Sequence, residues 1–317
     1  MDEPILRPND NRFVMFPIHH DDAWKLFKKM QSALWVAEEL SFKDDRFEQL
    51  TDPERHFITH ILAFFAASDG LVIENIDTNF QDEIQVPEIR ACYSLQAYIE
   101  QVHSESYSLL IDRYITDDRE KKRLFTAIQH FPAIKQKAQW AMKYMNKSRS
   151  FAERLVAFAC VEHIHFSGSF CAIFYFKKRQ MLPGLSLANE FIARDERLHV
   201  ELACLVYNKL VHKLNREQVL DIVRDAVAVE KTFINDALPC RLIGMNAKLM
   251  GQYIEYVGDL LLVMLGYKRH WGVSQPFSFM EMICLEGKPN FFETRSSQYA
   301  VDQNTPDNSV FDLKSDF

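Results

Sequence analysis

The sequence predicts an all-α protein, and three observations carry the prediction. Gly and Pro number only 9 and 11 in 317 residues, so few positions interrupt a helix. No strand-type alternation runs long enough to build a sheet. Helix starts recur, since Thr51-Asp-Pro-Glu54, Ser150-Phe-Ala-Glu153 and Asn215-Arg-Glu-Gln218 each set a capping side chain three residues before Glu or Gln.

Taken in order, the first twenty residues, with Pro4, Pro8 and Pro17, read as an extended arm. A helix is expected from His20 to Leu40, carrying Trp24, Leu34 and Trp35. Thr51 opens the next, where Phe57, Ile58, Ile61, Leu62, Phe64 and Phe65 form a helical apolar stripe ahead of Asp69. A long helix follows from Pro87 to Ile115. Lys121 to Asn146 reads as an amphipathic helix broken or kinked near Pro132. Ser150 opens the helix of Glu162. Pro183-Gly184 is read as a stop, with Ser186 starting the helix of Glu196 and His199. Asn215 caps one more, and Ala247 to Leu265 is the last. From about Gly287 the pattern dissolves into Ser, Asn, Thr, Asp and Pro, the composition of a flexible tail. The expected organisation is therefore an arm, 1–20, a helical domain, 21–286, and a tail, 287–317.

Composition excludes several classes of function. Hydrophobic residues make up 48% and the net charge is −7, and basic runs such as Arg119-Glu-Lys-Lys-Arg123 are short, so no nucleic-acid partner is expected. Six widely spaced cysteines form no Cys-x-x-Cys, which fits reduced thiols in a cytoplasmic protein. The start lacks the apolar core of a signal peptide, and no apolar run reaches the ~18 residues of a membrane span. No membrane partner is expected.

The chemistry is concentrated in a repeated unit. Glu100-Gln-Val-His103 and Glu196-Arg-Leu-His199 each follow a lone carboxylate, Asp69 and Glu162, by nearly the same interval. Positions i and i+3 share a helical face, so each Glu and His can grip one metal centre. Two such helices and one carboxylate from each of two more supply six converging ligands. That is the pattern of ferritin-like dinuclear carboxylate proteins, with Asp69 standing where the pattern has Glu. Both lone acids sit in apolar helices without a neighbouring cation, where burial is expensive unless a metal or partner compensates. A third Glu-x-x-His, Glu162-His-Ile-His165, overlaps a proposed ligand. Tyr107 lies one turn beyond His103 on the same face, about 6 Å along the axis. Its position alone fits a one-electron donor or an ordinary core phenol.

Five motifs carry a resemblance. Phe64-Phe-Ala-Ala-Ser-Asp-Gly70, His103-Ser-Glu-Ser-Tyr-Ser-Leu-Leu-Ile-Asp112, Phe166-Ser-Gly-Ser-Phe170, Arg194-Asp-Glu-Arg-Leu-His199 and Asn290-Phe-Phe-Glu293 resemble the small, radical-generating subunit of class I ribonucleotide reductase. The likeness is to its eukaryotic and large-DNA-virus branch and spans nearly the whole chain. It implies a homodimer, an oxo-bridged di-iron centre of two Fe ions per chain formed with O₂, and a separate large subunit that holds the nucleoside diphosphate. Carried over, one iron takes Asp69, Glu100 and His103 and the other takes Glu162, Glu196 and His199, with Glu100 and Glu196 bridging. Tyr107 matches the radical tyrosine, and Phe166, Phe170 and Ile192 its apolar pocket. Trp35 and Asp195 match the route from His103 to the surface. Tyr299 matches the tail relay, and Phe311 to Phe317 the peptide that docks on the large subunit.

His163 and His165 depart from the pattern, and His165 is an extra candidate donor beside six positions already filled. Three alternatives remain on the residues. An iron-storage protein of the same fold needs no buried Tyr, relay Trp or aromatic tail. A second is a di-iron oxidase or hydroxylase acting on a small organic substrate, or a manganese–iron relative, and the manganese–iron type that dispenses with the radical usually replaces the tyrosine that is present here as Tyr107. A metal-free scaffold subunit would have lost ligands, and all six positions are intact.

Overall fold

The computed structural model describes residues 3–237 and 239–280. The described residues up to Phe277 form one compact unit. The domain boundary expected at 286 lies outside the described residues. No strand occurs among the described residues.

Four segments form the centre. They are α2 (Asp52–Asn75), α3 (Pro87–Tyr114), α7 (Phe151–Cys160) with its π-helical continuation Val161–His165, and α9 (Pro183–Lys209). Around them, α1 (Asp21–Ser32) packs on α3 and α9, and α6 (Pro132–Met145) packs on α2 and α7. The short helices α4 (Asp118–Phe125) and α5 (Ala127–His130) flank α2, α8 (Ser167–Lys178) packs on α9, and α10 (Arg216–Lys231) and α11 (Ala247–Met264) pair with each other. Phe57, Ile58, Ile61, Leu62, Phe64 and Phe65 of α2 are all at most 1% exposed. Apolar burial on this scale is the main force holding the bundle.

The three capping boxes form as the sequence spells them. Thr51 and Glu54, Ser150 and Glu153, and Asn215 and Gln218 each exchange side-chain and backbone bonds at a helix start.

Several boundaries differ from expectation. The first helix ends at Ser32, and Trp35 lies beyond it, before a short 3₁₀ turn at Ala37–Glu39. Tertiary bonds override helix propensity here: Arg194 Nη2 takes the Ala33 carbonyl at 2.6 Å and the Trp35 indole donates to Asp195. The stretch from Lys121 does break at Pro132, which opens α6, and it breaks once more near Thr126, leaving three pieces, α4, α5 and α6. Pro183-Gly184 opens α9 instead of ending a helix pair. Its Pro occupies the first turn, and buried Asp45 accepts the Gly184 and Leu185 amides at 2.7 and 3.0 Å.

The arm is also tied down. Glu3 accepts the Val211 and His212 amides at 2.8 Å each, Ile5 is buried, and Glu88 accepts the His19 and His20 amides. The helical runs Asp52–Gln81 and Phe151–Lys178 are long and apolar enough, by length and composition, to cross a membrane, contrary to the expectation from the sequence. Their apolar windows are 56% and 94% buried. The two runs carry Asp69 and Glu162, which marks them as core helices.

Asp45 also accepts the Tyr114 hydroxyl at 2.5 Å, so one carboxylate joins the end of α3 to the start of α9. Asp45→Ala should lower unfolding stability by about 2 kcal/mol or more, because a cap and a charged hydrogen bond go together. Urea denaturation checks this, and a loss below about 0.5 kcal/mol would show that Asp45 is not what fixes the start of α9.

Candidate metal centre

The central helices bury all six predicted ligands; five of them pack together, and Asp69 is close enough for the Glu100 charge to act on it. Asp69 (α2), Glu100 and His103 (α3), Glu162 (the π turn after α7), and Glu196 and His199 (α9) are each at most 4% exposed. Glu100, Glu162, Glu196 and His199 have donor atoms all within 4.8 Å of one another. His103 Nδ1 lies 3.3 Å from Glu100 Oε2 and 3.2 Å from Glu196 Oε1. His199 Nδ1 lies 2.9 Å from Glu100 Oε1, 3.3 Å from Glu196 Oε2 and 3.8 Å from Glu162 Oε2. Glu100 and Glu196 thus each turn one oxygen toward each histidine, while Glu162 stands on the His199 side.

Electrostatics describe a site built for cations. Burial, reinforced by the Glu100 charge, raises the Asp69 carboxyl far above its usual range. Burial and the Glu196 charge do the same to Glu162. Burial would raise Glu196 too, but its hydrogen bond with Glu162 and the nearby His199 charge hold it low. Burial alone would discharge both histidines. Bonds to Asp195, Glu100 and Glu196 instead push His103 well up, and the charges of Glu100 and Glu196 do so for His199. Asp69 Oδ2, Glu162 Oε2 and His199 Nε2 have no hydrogen-bond partner despite full burial. Orphaned oxygens of this kind, in a set of four carboxylates and two imidazoles, fit two divalent cations, whose charge balances the four acids.

Beside the cluster sits Tyr107, 3% exposed. Burial raises its phenol well above the usual range, and Asp69 supplies the largest neighbouring charge. Phe65 stacks on it with ring centres 4.7 Å apart, and Phe170 and Phe166 lie 5.1 and 5.6 Å from Phe65. Ile192 is buried one turn before Glu196. On the opposite side of His103, Nε2 faces Asp195 Oδ2 at 3.2 Å, and the same oxygen accepts the Trp35 indole N–H at 2.6 Å. Arg194 holds the other Asp195 oxygen. Tyr299 and Phe311 to Phe317 lie outside the described residues.

Two residues escaped the sequence reading. Phe65, not Phe166 or Phe170, stacks directly on Tyr107, and its signal was its place one turn before Asp69 on the same face. Gln96 donates to Glu162 Oε1 at 3.0 Å, and it stands one turn before Glu100. His165 does not join the cluster. A π turn advances each residue by less than the ~100° of an α-helix, so its i+3 relation to Glu162 no longer means a shared face. Its ring instead packs edge-on against Trp140, with centres 4.6 Å apart, and burial and Lys137 hold it neutral. His163 is held neutral by burial, its pKa lowered to about 4.

Fold and site together define a class: a helical bundle protein with a buried carboxylate–histidine cluster suited to metal. The chain matches the family described as "Ribonucleotide reductase, small chain" over residues 12–276 and belongs to that family. It is 52% identical to one of the ribonucleoside-diphosphate reductase small chains of Arabidopsis thaliana, covering 100% of this sequence and 98% of that one. Identity to the small chain of Trypanosoma brucei brucei is also 52%, with 100% and 96% covered. Among solved structures, the Saccharomyces cerevisiae ribonucleotide reductase Rnr4 homodimer superposes with a TM-score of 0.82 at 34% identity, covering 94% and 93%. The R2 subunit from Clostridium botulinum, with a TM-score of 0.77 at 21% identity over 83% and 88% of the two chains, shares the ferritin-like fold.

Because burial favours the protonated form of Asp69 and Glu162, and the neighbouring carboxylates favour that of both histidines, cations compete with protons for this cluster. Anaerobic Mn(II) binding at pH 7 should therefore release protons, read as a dependence of calorimetric heat on the buffer's ionisation enthalpy. Glu196→Ala should abolish binding of two ions per chain, since one carboxylate faces both histidines. Metal analysis finding two ions in that variant would remove Glu196 from the ligand set.

Proposed function

We propose that this chain is the radical-generating small subunit of a ribonucleoside-diphosphate reductase, with two irons held by Asp69, Glu100, His103, Glu162, Glu196 and His199. The observation that carries the reading is the buried acid–imidazole cluster with Tyr107 beside it behind a wall of Phe65, Phe166 and Phe170. When bound, the iron pair would supply reductive activation of O₂ and the oxidising power that takes one electron from Tyr107.

The chain's own residues do the rest. Glu100 and Glu196 are placed to serve both ions, and Gln96 orients Glu162. The phenylalanine wall keeps water and reductants from Tyr107, as a lasting radical requires. Asp195 accepts from both His103 and Trp35, fixing the imidazole so that Nδ1 faces the metals and Nε2 faces the carboxylate. His103, Asp195 and Trp35 form a hydrogen-bonded path outward from the centre, in which Asp195 is the shared proton acceptor and the indole the oxidisable group.

Arg194 pins the middle of that path at Asp195, and it also holds the Ala33 carbonyl, two residues before Trp35. Tyr299 would extend the route through the tail, and Phe311 to Phe317 would dock on the large subunit. A homodimer is part of the proposal, supported by the solved homodimeric relative. So is action in the cytoplasm, with which the five described, unpaired cysteines agree.

Tyr107→Phe tests the reading. It should still bind two irons and consume O₂ but give no stable tyrosyl signal in low-temperature electron paramagnetic resonance, because the phenyl ring keeps the stacking on Phe65 and loses the O–H. A wild-type signal in that variant would place the radical elsewhere. Deleting Phe311 to Phe317 should leave the radical intact and abolish nucleoside diphosphate reduction with a matched large subunit, since aromatic anchors dominate such docking. Reduction at the full-length rate would exclude the tail as the coupling element.

A further inference from the structure

The ligand Glu162 sits on the least regular backbone of the centre. Its π turn, Val161–His165, joins α7 to α8, and π turns survive only where surrounding contacts over-determine them. The contacts that hold this joint come from outside the metal cluster. Lys137 of α6, fully buried, donates from Nζ to the His165 carbonyl at 2.6 Å and pairs with Glu230 of α10 at 2.5 Å. Glu230 in turn accepts the Gly168 amide at 3.1 Å. Gly168 permits this approach, because a Cβ there would stand 2.5 Å from Glu230 Oε1. The Lys137 ammonium also lies 3.7 Å from the Phe64 ring centre and 4.0 Å from that of Phe233. One buried ion pair therefore grips both ends of the segment from His165 to Gly168, with Phe166 between them.

We propose that Lys137 and Glu230 are positioning residues for the metal centre: they fix the π turn that aims Glu162 and seats Phe166 in the wall around Tyr107. A pair of charges buried this far from water is seldom kept for stability, since well-packed apolar replacements often do as well. Its geometric hold on the joint gives it a use. The inference rests on the dinuclear reading above and adds to it a cause for the placement of one ligand.

Anaerobic Mn(II) titration of the full-length chain, followed by electron paramagnetic resonance, tests it. The double variant Lys137→Met/Glu230→Gln removes both charges together, so no lone buried charge is left, and Gln can still accept from Gly168. The expected result is two ions bound, one as in the wild type and the other, held by Glu162 and His199, weakened roughly 10-fold or more. Wild-type affinity for both ions would overturn the proposal, as would equal weakening of both, which would mark a purely structural pair. If the double variant does not fold, Glu230→Asp takes its place: it keeps the charge but withdraws the carboxylate from Gly168, with the same outcomes for and against. A wild-type chain that binds fewer than two ions overturns the dinuclear reading instead.

Discussion

The bundle is organised around four carboxylates placed where water cannot reach them. Each such charge costs several kcal/mol to bury without compensation. The protein supplies two imidazoles and few other donors, so protons or cations must make up the balance. This constraint explains why the acids of the four central segments come with imidazoles on two of the same helices. It also explains why the helices bearing Asp69 and Glu162 are otherwise apolar enough to resemble membrane spans. The rest of their surface must repay the cost through hydrophobic contact.

The same burial gives Tyr107 and Trp35 different surroundings on either side of His103. Tyr107 faces aromatic rings and the charge of Asp69, so its phenol is kept neutral and isolated from solvent. The Trp35 indole is bonded to Asp195, which Arg194 anchors from the far side. One residue is walled in and the other is wired to a polar path. The proposed radical function, holding an oxidising equivalent and then releasing it on demand, needs both conditions at once. The break in helix after Ser32 serves this purpose, because a continuous helix would carry the Trp35 backbone past the position where its N–H meets Asp195.

Local signals were legible in the sequence, and tertiary ones were not. The capping boxes at Thr51, Ser150 and Asn215 and the Glu-x-x-His pairs on α3 and α9 depend on neighbours within one turn, so their spacing was enough to place them. The end of α1 depends on Arg194, which is far away in the chain, and no window around Ser32 contains it. Pro183 reads equally as a stop or as a first-turn residue, and only the capping carboxylate of Asp45 decides. Phe65 lay within a stripe read as plain core, and its contact with Tyr107 requires knowing how α2 faces α3.

Glu162 marks the limit most clearly. Its partner set could be inferred from the interval to Glu196, but its direction could not, because the spacing rule assumes an α-helix and the chain makes a π turn there. The same turn rotates His165 out of the cluster, so the irregularity removes a competing donor as it aims the ligand. Such a turn is unfavourable by itself and must be held from outside. Lys137 and Glu230 approach it from α6 and α10, helices that contribute nothing to the metal cluster directly. The peripheral helices are therefore more than a coat on a four-helix centre, since the geometry of one ligand depends on where they sit.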